Sequence, residues 1–224
     1  MAVKVFDQGL TAEQAAALAQ ALTRLCEAPL NHPSIVAPHG AGLNGNSAWL
    51  AEPYVDATPL DRVLKRGPQP VADVLLRVTH VAGALDFAAA AGIYHGALHP
   101  RDILIGVDRT LVTGLGVAQA LAQADIDVAV TGAAASPQRA LDLPVSRPHD
   151  IFALATITGE MLYGRPIVDR AALTAIVTPI TGLDHQRLRD VLARSLADDP
   201  AERPATALEF AEGLQRCMLD ATSN

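Results

Sequence analysis

The side chains best suited to chemistry crowd into one stretch, Tyr94–Ile105, which reads Tyr-His-Gly-Ala-Leu-His-Pro-Arg-Asp-Ile-Leu-Ile. It carries two imidazoles (His95 and His99), a guanidinium (Arg101) and a carboxylate (Asp102), groups able to bind a metal, move a proton or hold an anion. Gly96 and Pro100 rule out a continuous helix here. His95 and His99 therefore cannot share a helix face as a metal pair, and no third ligand lies near them in the sequence. Elsewhere, Ser146…His149-Asp150 and Asp184-His185 have the residue types of a nucleophile relay. No Gly-x-Ser-x-Gly elbow exists to present such a serine. Cys26 and Cys217 have neither CxxC nor metal-ligand spacing and read as two buried thiols in a reducing compartment.

The elements around that stretch must place it. Half of the 224 residues are apolar, enough for a full core in one domain or two small lobes. Aromatics are only 4%, so the core is expected to be aliphatic and close-packed. The net charge of −7, with no basic block, argues against nucleic acid or an anionic membrane surface as partner. The most apolar window, Val81–Ala97, is interrupted by Asp86 and His95, which argues against a membrane span, and no signal peptide is seen. A soluble, cytoplasmic chain is expected.

Ala2–Phe6 alternates apolar and polar residues as a half-buried strand does, with Lys4 on it. Thr11-Ala-Glu-Gln14 has the form of a capping box, and Leu18, Leu22 and Leu25 follow at helical spacing until Pro29. Val36–Leu43 and Ala48–Pro53 read as strands joined by Asn44-Gly-Asn-Ser47. Val71–Ala91 reads as a helix with Val74, Val78, Val81 and Leu85 on one stripe, ended by Gly92. Ile103–Val107 and Leu111–Thr113 suggest a short hairpin. Asp150–Tyr163 is apolar nearly all round and must be a buried post. Helices are also expected around Leu188 and Leu192, and over Phe210, Leu214 and Cys217 behind a second capping box, Thr206-Ala-Leu-Glu209.

Tyr94–Ile105 resembles the catalytic loop of protein kinases, His-Arg-Asp-Leu-Lys-Pro-Glu-Asn-Ile-Leu. The frame His95, Leu98, Pro100, Ile103 and Leu104 is kept. The arginine position is Gly96, the catalytic aspartate position Ala97, the lysine position His99 and the metal-binding asparagine position Asp102. The likeness runs in order along the chain. The Lys4 strand is similar to Val-Ala-Ile-Lys, and His32–Val36 to the His-Pro-x-Ile-Val turn. Ala48–Val55 is similar to the strand entering the hinge, and Asp56–Leu64 to the short helix after it. Gly114-Leu-Gly116 stands where Asp-Phe-Gly is usual and Ser136-Pro-Gln138 where Ala-Pro-Glu is. Leu121–Ala135, with Thr131 as its phosphorylatable residue, matches an activation loop. Gly164-Arg-Pro166 and Asp199-Pro-Ala-Glu-Arg-Pro204 match two further family motifs. The nearest flavour is the bacterial Ser/Thr kinases.

The resemblance implies an α+β, kinase-like two-lobed fold. A reduced N-lobe over residues 1–54, about three strands plus one helix, would sit on a mainly α-helical C-lobe over 55–224. No GxGxxG loop precedes the Lys4 strand, so the protein either starts there or is part of a longer chain. The family's helix glutamate falls at Thr23, with Glu27 one turn further on. His95 would be a packed structural residue, Asp150 would brace the catalytic loop from behind, and Arg203 would meet Gln138 instead of a glutamate. With Ala97 unable to take a proton and Gly114 unable to ligate Mg²⁺, the expectation is a pseudokinase: no catalytic residue, no metal site and no cofactor. Lys4 and Asp102 would be remnants of an ATP site. Its role would be to bind and regulate a protein partner, through the exposed edge of the Lys4 strand, with self-pairing into a homodimer as one form. The alternative is an atypical ATP-binding, Ser/Thr-kinase-like phosphotransferase using Lys4, Glu27 and Asp102.

Overall fold

The computed structural model describes residues 1–7, 9–126, 144–165, 170–174 and 179–219. It opens with strand β1 (Ala2–Phe6), followed by helix α1 (Ala12–Cys26) and the hairpin β2 (Gly40–Asn44) and β3 (Ser47–Glu52). The three strands form one antiparallel sheet in the order β1-β3-β2. Thr11 caps α1 as its sequence requires: its hydroxyl accepts from the Gln14 N–H while the Gln14 amide accepts from the Thr11 N–H, both at 3.1 Å. Gly42 is needed where it is, because an added Cβ would lie 2.8 Å from the Trp49 ring that crosses it. The first expected strand is shorter than its apolar run suggests. Val36 lies outside β2, and its N–H is satisfied instead by the Val112 carbonyl at 2.9 Å.

A second small sheet, in the order β4-β5-β6, follows: β4 (Thr58–Pro59), β5 (Ile103–Ile105) and β6 (Thr110–Val112). The expected helix over Asp56–Leu64 begins only at Leu60, as α2 (Leu60–Leu64), because the two-residue β4 before it is too short to leave a periodic signal. Helix α3 (Val71–Ala90) buries Val74, Val78, Val81 and Leu85 along its predicted stripe. Next come α4 (Val117–Gln123), α5 (Arg147–Tyr163), α6 (Arg170–Thr174), α7 (His185–Ser195) and α8 (Ala207–Gln215). On α5 every residue from His149 to Gly159 is buried, so it is the post the sequence demands. Full burial of one large apolar side chain such as Phe152 contributes about 2 kcal/mol. One continuous core runs from Leu18 and Leu22 of α1 through α3 and α5 to Phe210 and Leu214 of α8. Both cysteines are free thiols. No helix among the described residues is long and apolar enough to cross a membrane. Thr131, Ser136-Pro-Gln138 and Pro166 lie outside the described residues, and so does the proposed Arg203–Gln138 contact.

Candidate active site

The loop Tyr94–Ile105 passes between α3 and β5 and is tied down from behind by α5. Asp150, buried, accepts from the His95 N–H at 2.8 Å and the Gly96 N–H at 2.7 Å. Burial pushes its carboxyl above the usual carboxylate range, while His95 and the two N–H donors pull the other way. With both oxygens engaged on the loop, Asp150 takes no part in a Ser146–His149 relay. Ser146 Oγ and His149 Nδ1, 2.8 Å apart, are the N-terminal cap of α5. Gly96 has φ +71°, and a Cβ there would meet Val145 Cγ1 at 2.3 Å, so the loop cannot accept any side chain at that position.

Further along, Pro100–Asp102 forms a single 3₁₀ turn capped by His99, whose Nδ1 accepts from the Arg101 N–H at 3.1 Å. Asp102 Oδ2 accepts from the His99 N–H at 3.2 Å, and the Asp102 carbonyl accepts from the Thr113 N–H at 2.9 Å. Burial lowers the His99 pKa, with Arg101 adding to that. His95 is buried, its Nε2 lying 3.0 Å from the Thr113 carbonyl and 3.9 Å from Asp102 Oδ2. Each histidine is thus occupied locally, and no group of three or more His, Cys, Asp or Glu that could hold a metal occurs among the described residues.

The front of the loop faces Lys4. Its Nζ lies 3.2 Å from Glu52 Oε2 and donates to Thr113 Oγ1 at 3.1 Å; Thr113 Oγ1 in turn donates to Glu52 Oε2 at 2.7 Å. The Gly114 N–H completes the set on Glu52 Oε1 at 3.4 Å. A Cβ on Gly114 would stand 3.5 Å from Lys4 Nζ and 3.6 Å from His95 Nε2, which shows how closely these groups converge. Lys4, Glu52, Thr113, His95 and Asp102 are therefore linked contact by contact into one polar cluster, in which Lys4 and Asp102 are the partly exposed members. Glu27 is not there: it is exposed, as is Thr23, whose hydroxyl is spent on the Ala19 carbonyl of its own helix at 2.8 Å.

Glu52 and Thr113 were missed in the sequence. Glu52 reads as the polar end of a strand, and only the register Lys4↔Leu50 puts it on the lysine's face, two residues along. Arg203, also buried, donates to the Ala197 carbonyl (2.9 Å) and the Pro148 carbonyl (2.8 Å), with its guanidinium 4.9 Å from the Phe152 ring centroid. Burial brings its pKa down to about 10, so it stays charged at neutral pH while bracing α5.

A family model described as "Protein tyrosine and serine/threonine kinase" matches residues 1–163. Serine/threonine-protein kinase PknI of Mycobacterium tuberculosis is 32% identical over 193 residues, which are 84% of this chain and 32% of PknI. PknJ of the same organism is 28% identical over 208 residues, 82% of this chain and 35% of PknJ. The chain thus spans about a third of the length of these curated relatives. The crystal structure of the PknI kinase domain superposes with TM-score 0.69 at 27% identity, covering 96% of this chain and 84% of that one. The architecture is accordingly kinase-like, with a reduced sheet and helix above a mainly helical body. These findings overturn the expectation that the chain is not an enzyme, because the relatives it matches along most of its length are Ser/Thr kinases. The error lay in the step from two positions to a function. Ala97 and Gly114 lack side-chain acids, yet phosphoryl transfer rests chiefly on positioning and charge, and the cluster holds Lys4, Glu52 and Asp102.

Proposed function

Because the chain belongs to the protein tyrosine and serine/threonine kinase family, we propose that it is an atypical, ATP-binding, Ser/Thr-kinase-like phosphotransferase domain. The observation that carries this reading is the partly exposed Lys4 ammonium, fixed by Glu52 and by Thr113, whose own N–H donates to the Asp102 carbonyl. Two of its three N–H bonds are taken by Thr113 and Glu52, leaving the third for a phosphate oxygen, and 38% of the side chain is exposed. A fixed ammonium beside the transferring phosphoryl group is the electrostatic element such chemistry needs.

Two features make the reaction atypical. Ala97 supplies no group to orient or deprotonate the acceptor hydroxyl, a loss of roughly 10²–10⁴-fold in rate when a general base is removed. The described residues also form no protein-side cage for a divalent ion: Gly114 has no carboxylate, and Glu52 is engaged with Lys4 and Thr113. Asp102 alone remains as a carboxylate that would face a nucleotide-borne cation. The acceptor is a Ser or Thr hydroxyl of a protein, the class named for PknI and PknJ.

The test is transfer of labelled γ-phosphate from ATP, with Mg²⁺ or Mn²⁺, to the chain itself and to generic protein acceptors. Slow transfer, abolished by Lys4→Met, is expected. The absence of both transfer and stabilisation by millimolar ATP would overturn the reading, since any ligand that binds the native state raises its stability by mass action.

A further inference from the structure

In kinases the phosphate-facing lysine pairs with a glutamate on the small lobe's helix, so the lysine is in place only when the helix is. This chain wires the pair differently. Lys4 and Glu52 both stand on strands of one sheet, β1 and β3, whose backbones are hydrogen-bonded from Ala2↔Glu52 to Phe6↔Ala48. Glu52 is almost fully buried, at 4% exposure, and is held by the Thr113 hydroxyl and the Gly114 N–H as well as by Lys4. Helix α1 offers no competing acid: Thr23 is turned to its own helix, Glu27 is exposed, and no ion pair to Lys4 other than that of Glu52 occurs among the described residues. The residue of α1 that senses Glu52 is Cys26, a thiol pushed up mainly by burial and then by Glu27 and Glu52, hence uncharged at neutral pH.

Building on the nucleotide-binding reading above, we propose that Glu52 is the positioning residue for Lys4, taking the part of a helix-borne acid. The lysine then stays on Glu52 and Thr113 whatever position α1 adopts. The coupling between helix placement and phosphate binding that the family pair creates is absent from this wiring. Thr113 serves as the second strut, since one hydroxyl both accepts from Nζ and donates to the carboxylate.

Lys4 and Lys65 are the chain's only lysines, so isotope labelling of lysine gives two side-chain signals, of which one reports the contacts with Glu52 and Thr113. Glu52→Gln should move the Lys4 signal, leave Lys65 in place and weaken ATP binding by about tenfold or more, the range for losing a bond to a charged group. Glu52→Asp should recover part of both effects, and Glu27→Gln should change neither. Thr113→Val, which keeps shape and removes the strut, should also move the Lys4 signal and serves if Glu52→Gln does not fold. A Lys4 signal unmoved by Glu52→Gln, or by Thr113→Val where that variant is needed, overturns the proposal. So does one moved by Glu27→Gln. Failure of the wild-type chain to bind ATP would sink the nucleotide reading instead, with the Lys4 signal still deciding the wiring.

Discussion

The two sides of the loop Tyr94–Ile105 are built on different principles. Its rear is closed: Asp150 holds two backbone N–H groups, Gly96 leaves no room even for a methyl, and the all-buried α5 stands behind. Its front is polar, with Lys4 of β1, Glu52 of β3 and Thr113, just past β6, bonded to one another, Lys4 being partly exposed. At the rear, main-chain geometry dictates which residue can stand at each position. At the front, side chains meet through strand register, so a role can pass from one element to another without altering the fold. This is why the absence of acids at positions 97 and 114 was a poor guide to function.

The largest break in this contrast should come from Asp150→Ala. It leaves two buried N–H groups without acceptors at about 1–3 kcal/mol each, so a loss of about 3 kcal/mol is expected in urea unfolding. A loss under about 1 kcal/mol would mean that the rear is not closed as described. Next, Gly96→Ala combines a left-handed backbone with the contact to Val145 and should cost about 2–3 kcal/mol. Gly114→Ala, with the same backbone but only 3.5 Å or longer contacts, should cost nearer 1 kcal/mol. Equal thermal shifts for the two alanines would erase the distinction between a packed rear and a roomy front.

The smallest effect is on pH dependence. Burial, and then His80, lower the His32 pKa from 6.5, and His99 is lowered too, chiefly by burial. Between the two values of each group the unfolded chain binds more protons, so stability should fall as pH drops below about 6.5. His32 Nδ1 also accepts from the Ser34 N–H, which its protonated form could not allow. His32→Gln should flatten that slope slightly, as followed by melting temperature across pH 7.5 to 5.

The order of strands and helices was legible because each leaves a local mark: the Thr11–Gln14 cap, the valine stripe of α3, the unbroken apolar run of α5. So was the loop frame, since Gly96 and Pro100 exclude a helix. What could not be read locally is anything that depends on pairing. Glu52 reaches Lys4 only through the β1–β3 register, Thr113 lies 109 residues from Lys4, and Val145 closes on Gly96 from the far side of the loop. Strand β4 was missed because two residues carry no period. Helical spacing alone offers Glu27 as a partner for the lysine, but α1 ends at Cys26 with Glu27 as its exposed C-cap.

The most direct test is titration calorimetry of ATP into the wild-type chain and into Lys4→Ala. Removing Lys4 leaves the buried Glu52 carboxylate to Thr113 and the Gly114 N–H, so a circular dichroism spectrum of the variant accompanies the titration to show that it is folded. Saturable binding to the wild type, weakened at least tenfold or lost in Lys4→Ala, is the predicted result. Equal affinities in the two proteins, or no binding heat from either, would contradict the assignment of nucleotide binding to Lys4 and its neighbours.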